Sequence, residues 1–302
     1  MTDIQRKKAI NKASTIIFSI VRFIIIFGLA FIILKPIISK VFMSFMSPSD
    51  MLDNTVNMVP KNPSLYYWKA AIKGLSLGKT VPNTFLLSVG VALIQVISCT
   101  LVGYGLARFK FKLNGFFFFC VILLMLVPVQ TISTAQFLNF AFFNLGFTTV
   151  NLTNTFWPIY LMAIGCIGIK NGLYVYLMKA QFESIPLELD EAACIDGAGV
   201  WQTFWRVMLP NAKTTMITIF LFSFSWQWTD EIYAGLYYPN TTILANYLER
   251  VSVSFQNSSD AVGTLISRSA ATLLIMLPVL ILFAFCQKFL VQSISRAGLA
   301  NG

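Results

Sequence analysis

The chain alternates between long apolar runs and short polar segments. Apolar residues dominate 16–46, 83–106, 116–137, 155–178, 215–233 and 264–291. Each is close to the ~20 residues that a helix needs to cross a bilayer. Hydrocarbon offers backbone N–H and C=O groups no partners, so such runs predict helices. The pattern therefore predicts an all-α membrane protein with six spans. Arg22 and Lys35-Pro36 interrupt the first run. Long cations can snorkel out of the hydrocarbon, and Pro36 predicts a kink. The stretch 137–152 is apolar but carries Asn139, Asn144, Gly146 and Asn151. Asparagine at that density is expensive in lipid, so this piece is expected to be a short external segment.

Composition agrees. Hydrophobic residues make up 57% of the 302 residues and charged ones 11%, against about 25% charged in soluble domains. Lipid is thus an expected partner. The net charge of +10 does not indicate nucleic acid, because the basic residues flank apolar runs instead of gathering on one element. With the N-terminus inside, Arg6, Lys7, Lys8, Lys12, Arg108, Lys110, Lys112, Lys179, Arg206, Lys213, Lys288 and Arg296 are cytoplasmic. Lys61, Lys69, Lys73, Lys79 and Arg250 are external. The excess predicts both termini in the cytoplasm of a multi-pass plasma-membrane protein. The first run is too long for a cleavable signal peptide.

Little points to catalysis. Histidine is absent, and the 5 cysteines form no C-x-x-C pair, so neither a metal site nor a disulfide framework is expected. Gly74 to Lys79-Thr80 imitates a phosphate loop but has one residue too few between its glycines and no preceding strand.

The polar stretch 186–210 reads as helix, turn, helix. Pro186 suits a first helical turn, and Glu188, Asp190 and Glu191 place anions where the helix dipole favours them. Ala192 and Ala193 are strong helix formers with little bulk. Gly197 is placed to end the helix in a left-handed conformation. Trp201, Phe204 and Trp205 are expected to pack the second half against membrane helices. Glu188 and Glu191 share a face, yet no nucleophile, oxyanion site or metal ligand accompanies them.

Glu191-Ala192-Ala193, Asp196-Gly197-Ala198, Phe204 and Leu209-Pro210 resemble the EAA loop of the membrane-spanning subunits of bacterial ABC importers. Ser184-Ile185-Pro186 and Glu188 are similar to the sugar-importing, maltose-permease-like branch, and the resemblance covers about 80–291. It implies a type I ABC importer permease fold and a coupling helix that docks on a separate ATPase subunit. That ATPase uses the ATP, and no cofactor is bound by this chain. The resemblance further implies a second permease subunit in a heterodimer and an extracytoplasmic solute-binding protein. The expected organisation is 1–80 (N-terminus, first span, external loop), 81–291 (permease core, with a cytoplasmic coupling loop at about 179–213) and a 292–302 tail. The tail departs from the family, because no final lysine follows Ala297-Gly298-Leu299.

Six further residues are substrate-path candidates. The stretch Trp226-Gln227-Trp228-Thr229-Asp230-Glu231 is similar to a Trp-Asn-Asp/Glu-Phe segment of sugar permeases, with Thr229 in place of the Asn. Aromatic faces stack on pyranose rings, while Gln227, Asp230 and Glu231 suit hydroxyls. An aromatic belt at the outer interface is the other reading. Lys170 falls inside the fourth run among Gly165, Gly168 and Gly172, where a charge should face protein or water. Lining a pore and pairing with a carboxylate both fit. The segment 242–260, with Leu248, Glu249 and Gln256, resembles an external loop reaching toward the binding protein. The rival functions are import of another solute by the same machinery, and self-sufficient secondary transport.

Overall fold

The computed structural model describes residues 3–144, 146–248, 251 and 261–299, with side chains between 15 and 287. Glu249 and Gln256, and the side chains of the 292–302 tail, lie outside the described residues. The chain divides into two compact units, Met1–Ile72 with Val251–Leu273 and Lys73–Arg250 with Leu274–Gly302.

In the first unit, α1 (Asp3–Ser44) continues through Pro36. Its large apolar side chains from Ile16 to Leu34 are exposed, as a lipid-facing helix requires. Ser47 caps α2 (Pro48–Leu52), its hydroxyl accepting from the Asp50 amide at 3.2 Å. The buried Asp50 carboxylate accepts from Asn62 N at 2.8 Å and Asn62 Nδ2 at 3.1 Å. Phe45 stacks on Trp68 of α3 (Tyr66–Leu75) at 5.4 Å. Lys61, expected to be external, pairs with Asp53 at 2.8 Å. That hydrogen-bonded ammonium, with the Thr55 amide, holds the Asp53 carboxyl well below the usual carboxylate range.

The second unit is built around α4 (Leu77–Arg108), which packs on α7 (Trp157–Ile164), α8 (Asn171–Glu183) and α11 (Leu209–Trp228). Cys99, Tyr174, Met178, Phe182, Met208 and Ile219 form one apolar core. Leu87, Met162, Tyr237 and Tyr238 belong to a second, which includes α12 (Ile232–Tyr237). Glycine permits the closest approaches. A Cβ on Gly103 would sit 2.5 Å from Met178 Cβ, and one on Gly172 would sit 2.9 Å from the Val121 carbonyl.

Among the described residues, four helices are long and apolar enough to cross a membrane: Thr15–Ser44, Leu77–Arg108, Val200–Trp228 and Ala261–Gln287. The pair α5 (Asn114–Leu126) and α6 (Val129–Ala141) is bent by 106° and makes a fifth if counted as one span. Pro128 causes the break: the residue before a proline is driven out of the helical region, and Val127 has ψ 120. Beyond α6, the expected external segment forms a small hairpin, with Phe143 opposite Val150 and Asn144 opposite Thr149.

The fourth run, expected as one continuous helix, is two. It breaks between Ile164 and Asn171, with Cys166 at φ 56 and Lys170 at φ 59. Lys170 thus stands at a left-handed break and not inside a helix. The fifth span also differs, because its helical stretch begins at Val200, inside the loop. It runs through α10 (Val200–Thr203), a π-helical turn (Phe204–Met208) and α11. Pro210 lacks the N–H that an α-helix would bond to the Arg206 carbonyl, and the π turn lies just before it. The helix Ala261–Leu299 is joined to α11 where Trp228 Nε1 donates to the Ile275 carbonyl at 2.9 Å.

Candidate functional site

Two places in the second unit collect the candidate residues. The first is α9 (Glu188–Ile195) and the turn after it. Three acidic residues occupy its first turn. Gly197 takes φ +80, and a Cβ added there would meet no atom of the described residues within 4 Å. Backbone conformation alone therefore demands glycine at that position. Glu188, Glu191, Ala192, Asp196 and Gly197 are exposed, Ala193 is buried and Ala198 half-buried. Phe204 is buried against Tyr104 at 4.8 Å, Leu209 is half-buried and Pro210 exposed. Trp201 and Trp205 do not pack inward as expected: they are 67% and 64% exposed. Successive helical positions point about 100° apart, and Phe204 takes the inward direction. With Ile195, Val200 and Leu187 also exposed, the loop presents a polar and apolar face.

Arg108 was legible only as an orientation signal beside Lys110 and Lys112. At the end of α4 it is half-buried with its side chain 8% exposed, its Nη2 donating to the Ile185 carbonyl at 2.7 Å, with Nε 3.2 Å from Asp190 Oδ2. This contact is one of opposite charges and not an aligned hydrogen bond, since Arg108 Nε and Asp190 Oδ1 have no hydrogen-bond partner among the described residues. It fixes α9 to α4.

The second place is a cavity of about 590 Å³. It is lined by Lys170, Trp226, Asp230, Glu231 and Tyr233, with apolar residues such as Leu124 and Val127. The Lys170 ammonium lies 4.8 Å from the Trp226 ring centroid, a cation–π geometry. Asp230 Oδ1 accepts from the Tyr233 amide at 3.2 Å, while Oδ2 is buried without a hydrogen-bond partner among the described residues. Asp230 lies just past the span ending at Trp228. Burial pushes its carboxyl up to about 6, against the downward pull of the Tyr233, Ala234 and Ile232 amides.

Two of the six candidates turn away from the cavity. Gln227 is buried, its Nε2 donating to the Tyr238 hydroxyl at 3.3 Å, and Trp228 is committed to Ile275. Gln95 was not singled out by sequence reasoning. This buried α4 residue donates to the Ile169 carbonyl at 3.0 Å and to Asn171 Oδ1 at 2.5 Å, bracketing Lys170. The signal that could have found it is a polar residue in an apolar run. The described residues contain no group of three or more His, Cys, Asp or Glu able to hold a metal.

The described residues thus combine helices long and apolar enough to cross a membrane with an exposed acidic loop at one place and a cavity lined by charged and apolar residues at another. Residues 99–296 match the family described as binding-protein-dependent transport system inner membrane component, and the chain belongs to it. Among its relatives is the probable starch degradation products transport system permease protein AmyC of Thermoanaerobacterium thermosulfurigenes, 28% identical over 64% of this chain and 66% of that one. The galactooligosaccharides transport system permease protein GanQ of Bacillus subtilis is 27% identical over 89% and 91%. The maltodextrin transport system permease protein MdxG of the same organism is 30% identical over 72% and 73%. In fold the chain is similar to a solved bacterial ABC transporter involved in import of the acidic polysaccharide alginate. The TM-score is 0.70 at 23% identity, covering 91% of this chain and 97% of that one. The protein is a multi-pass permease component and not an enzyme; ATP is hydrolysed by a separate subunit of such systems.

Proposed function

We propose that this chain is one of two different permease subunits of an ATP-driven importer for oligosaccharides or sugar derivatives, supplied by an extracytoplasmic binding protein. The starch-product, galactooligosaccharide and maltodextrin relatives support the substrate class. In this reading α7 and α8 together make the sixth crossing. Irregular backbone at membrane depth is tolerated where it lines a cavity, and residues 167–170 of the break do so. Both termini and α9 lie on the cytoplasmic side.

The observation that carries the proposal is the exposed Glu188, Glu191 and Ala192 face of α9, tied to the membrane helices by Arg108. Ala192 lets a partner surface approach closely, and Glu191 offers charge-assisted hydrogen bonds, stronger than neutral ones. Ala193, Asp196, Gly197, Ala198, Phe204, Leu209 and Pro210 shape that loop. An ATPase bound there would drag α9 as the nucleotide subunits close. In the cavity, Trp226 would stack on a pyranose face, while Lys170, Asp230 and Glu231 bind hydroxyls. No cofactor is needed by this chain, since ATP belongs to the ATPase.

The test is uptake of labelled maltodextrins and galactooligosaccharides by cells expressing this chain with its partner permease, ATPase and binding protein. Uptake should require all four. Uptake by this chain alone would replace the proposal with secondary transport.

A further inference from the structure

The two candidate places are joined by one close-packed pair of helices. α4 and α8 run side by side in the same direction, and their contacts fall at both ends and between. At one end Gln95 donates to Ile169 and Asn171 and accepts from the Ser223 hydroxyl, while Asn171 Nδ2 donates to Cys99 Sγ at 3.1 Å. Midway, Gly103 lies so close to Met178 that no side chain fits between them. At the other end Arg108 holds the Ile185 carbonyl and the Asp190 carboxylate. From Gln95 to Arg108 is about 20 Å of uninterrupted helix. Lys170 immediately precedes Asn171, so the first clamp sets one wall of the cavity. The Arg108 clamp sets α9. Close-packed interiors transmit strain and compress little.

We propose that Arg108 and Asp190 are positioning residues: they convert displacement of α9 into displacement of the Lys170 wall, with α4 and α8 moving as one rod. The inference rests on the reading of α9 as the ATPase-docking helix. Lysine cannot replace Arg108, because one ammonium lacks the fork that reaches a carbonyl and a carboxylate together. Asp190→Asn keeps the shape of the contact and removes its charge.

The test uses the assembled complex of this chain with its partner permease and ATPase. Thr229→Cys in the cavity wall is the reporter, labelled with a small methanethiosulfonate reagent and read by peptide-resolved mass spectrometry. The rate is compared without nucleotide and after trapping with MgATP and vanadate. Trapping should change Cys labelling at 229 when Arg108 and Asp190 are intact. Arg108→Lys and Asp190→Asn should lose that change while the ATPase still co-purifies and hydrolyses ATP. The exchange Arg108→Asp with Asp190→Arg should recover part of it. Full retention in the single variants, or no recovery in the exchange, overturns the proposal. So does loss of ATPase co-purification in the single variants, which would make the pair merely structural. A wild-type loop that shows no response to trapping, or binds no ATPase, would instead bring down the docking reading and this inference with it.

Discussion

The Lys170 ammonium sits 4.8 Å from the centroid of the Trp226 ring, across a cavity wall shared with Asp230 and Glu231. Lys170 is brought there by a left-handed backbone, φ 59, at the start of α8. That conformation costs a side-chain-bearing residue about 1–2 kcal/mol, and strain of this kind clusters at functional sites. Lys170→Gly removes the charge and the strain together. The expected outcome is unchanged or higher thermal stability of the purified protein with reduced sugar uptake. Uptake equal to wild type would take Lys170 off the substrate path.

Glu191→Ala should weaken ATPase docking, and Gly197→Val should misdirect α9. A Cβ at Gly197 would meet nothing within 4 Å among the described residues, so its penalty is purely that of φ +80, about 1 kcal/mol or more. Gly199, at φ −73, should accept alanine with little effect. Pull-down of the ATPase and sugar-stimulated ATP hydrolysis measure both. Normal values in a Glu191→Ala, Gly197→Val double variant would mean that α9 is not the docking element.

Two glycines on one helix provide a packing contrast. Gly103→Val forces atoms into Met178, and overpacking costs typically about 1–3 kcal/mol. A Cβ at Gly105 would meet nothing within 4 Å among the described residues, and Gly105→Ala gains up to about 1 kcal/mol of helix propensity. Thermal unfolding of the detergent-solubilised chain should fall for the first and hold or rise for the second.

Asp230 predicts a pH dependence of stability. Its folded-state carboxyl is raised from 3.8 to about 6 by burial. Between those values the folded state binds more protons than the unfolded one, so stability falls as pH rises through that window and levels off above it. Asp230→Asn should flatten this slope. An identical slope in the variant, followed by thermal unfolding from pH 4 to 7, would refute the assignment.

Cys194, exposed on α9, gives the topology test. A membrane-impermeant maleimide should label it in inside-out vesicles and not in intact cells. Labelling in intact cells would invert the orientation of the loop.

What could be read from residues in a row is what local chemistry governs. Apolar length marks helices because only a helix satisfies the backbone of a single segment within itself in hydrocarbon. The acidic first turn, the paired alanines and Gly197 define α9, because caps, dipoles and positive φ act within a few residues. Which faces meet was settled by packing. Trp226, Gln227 and Trp228 are neighbours in sequence, yet helical geometry turns them apart, and packing sends one to the cavity and two into the protein. The fourth run looked continuous because its residues are mostly apolar. Its break is held by Gln95, distant in sequence. Arg108 read as one basic residue among several until folding set it against Asp190. Local energies are written in adjacent residues, whereas a buried pair exists only once two distant helices have packed.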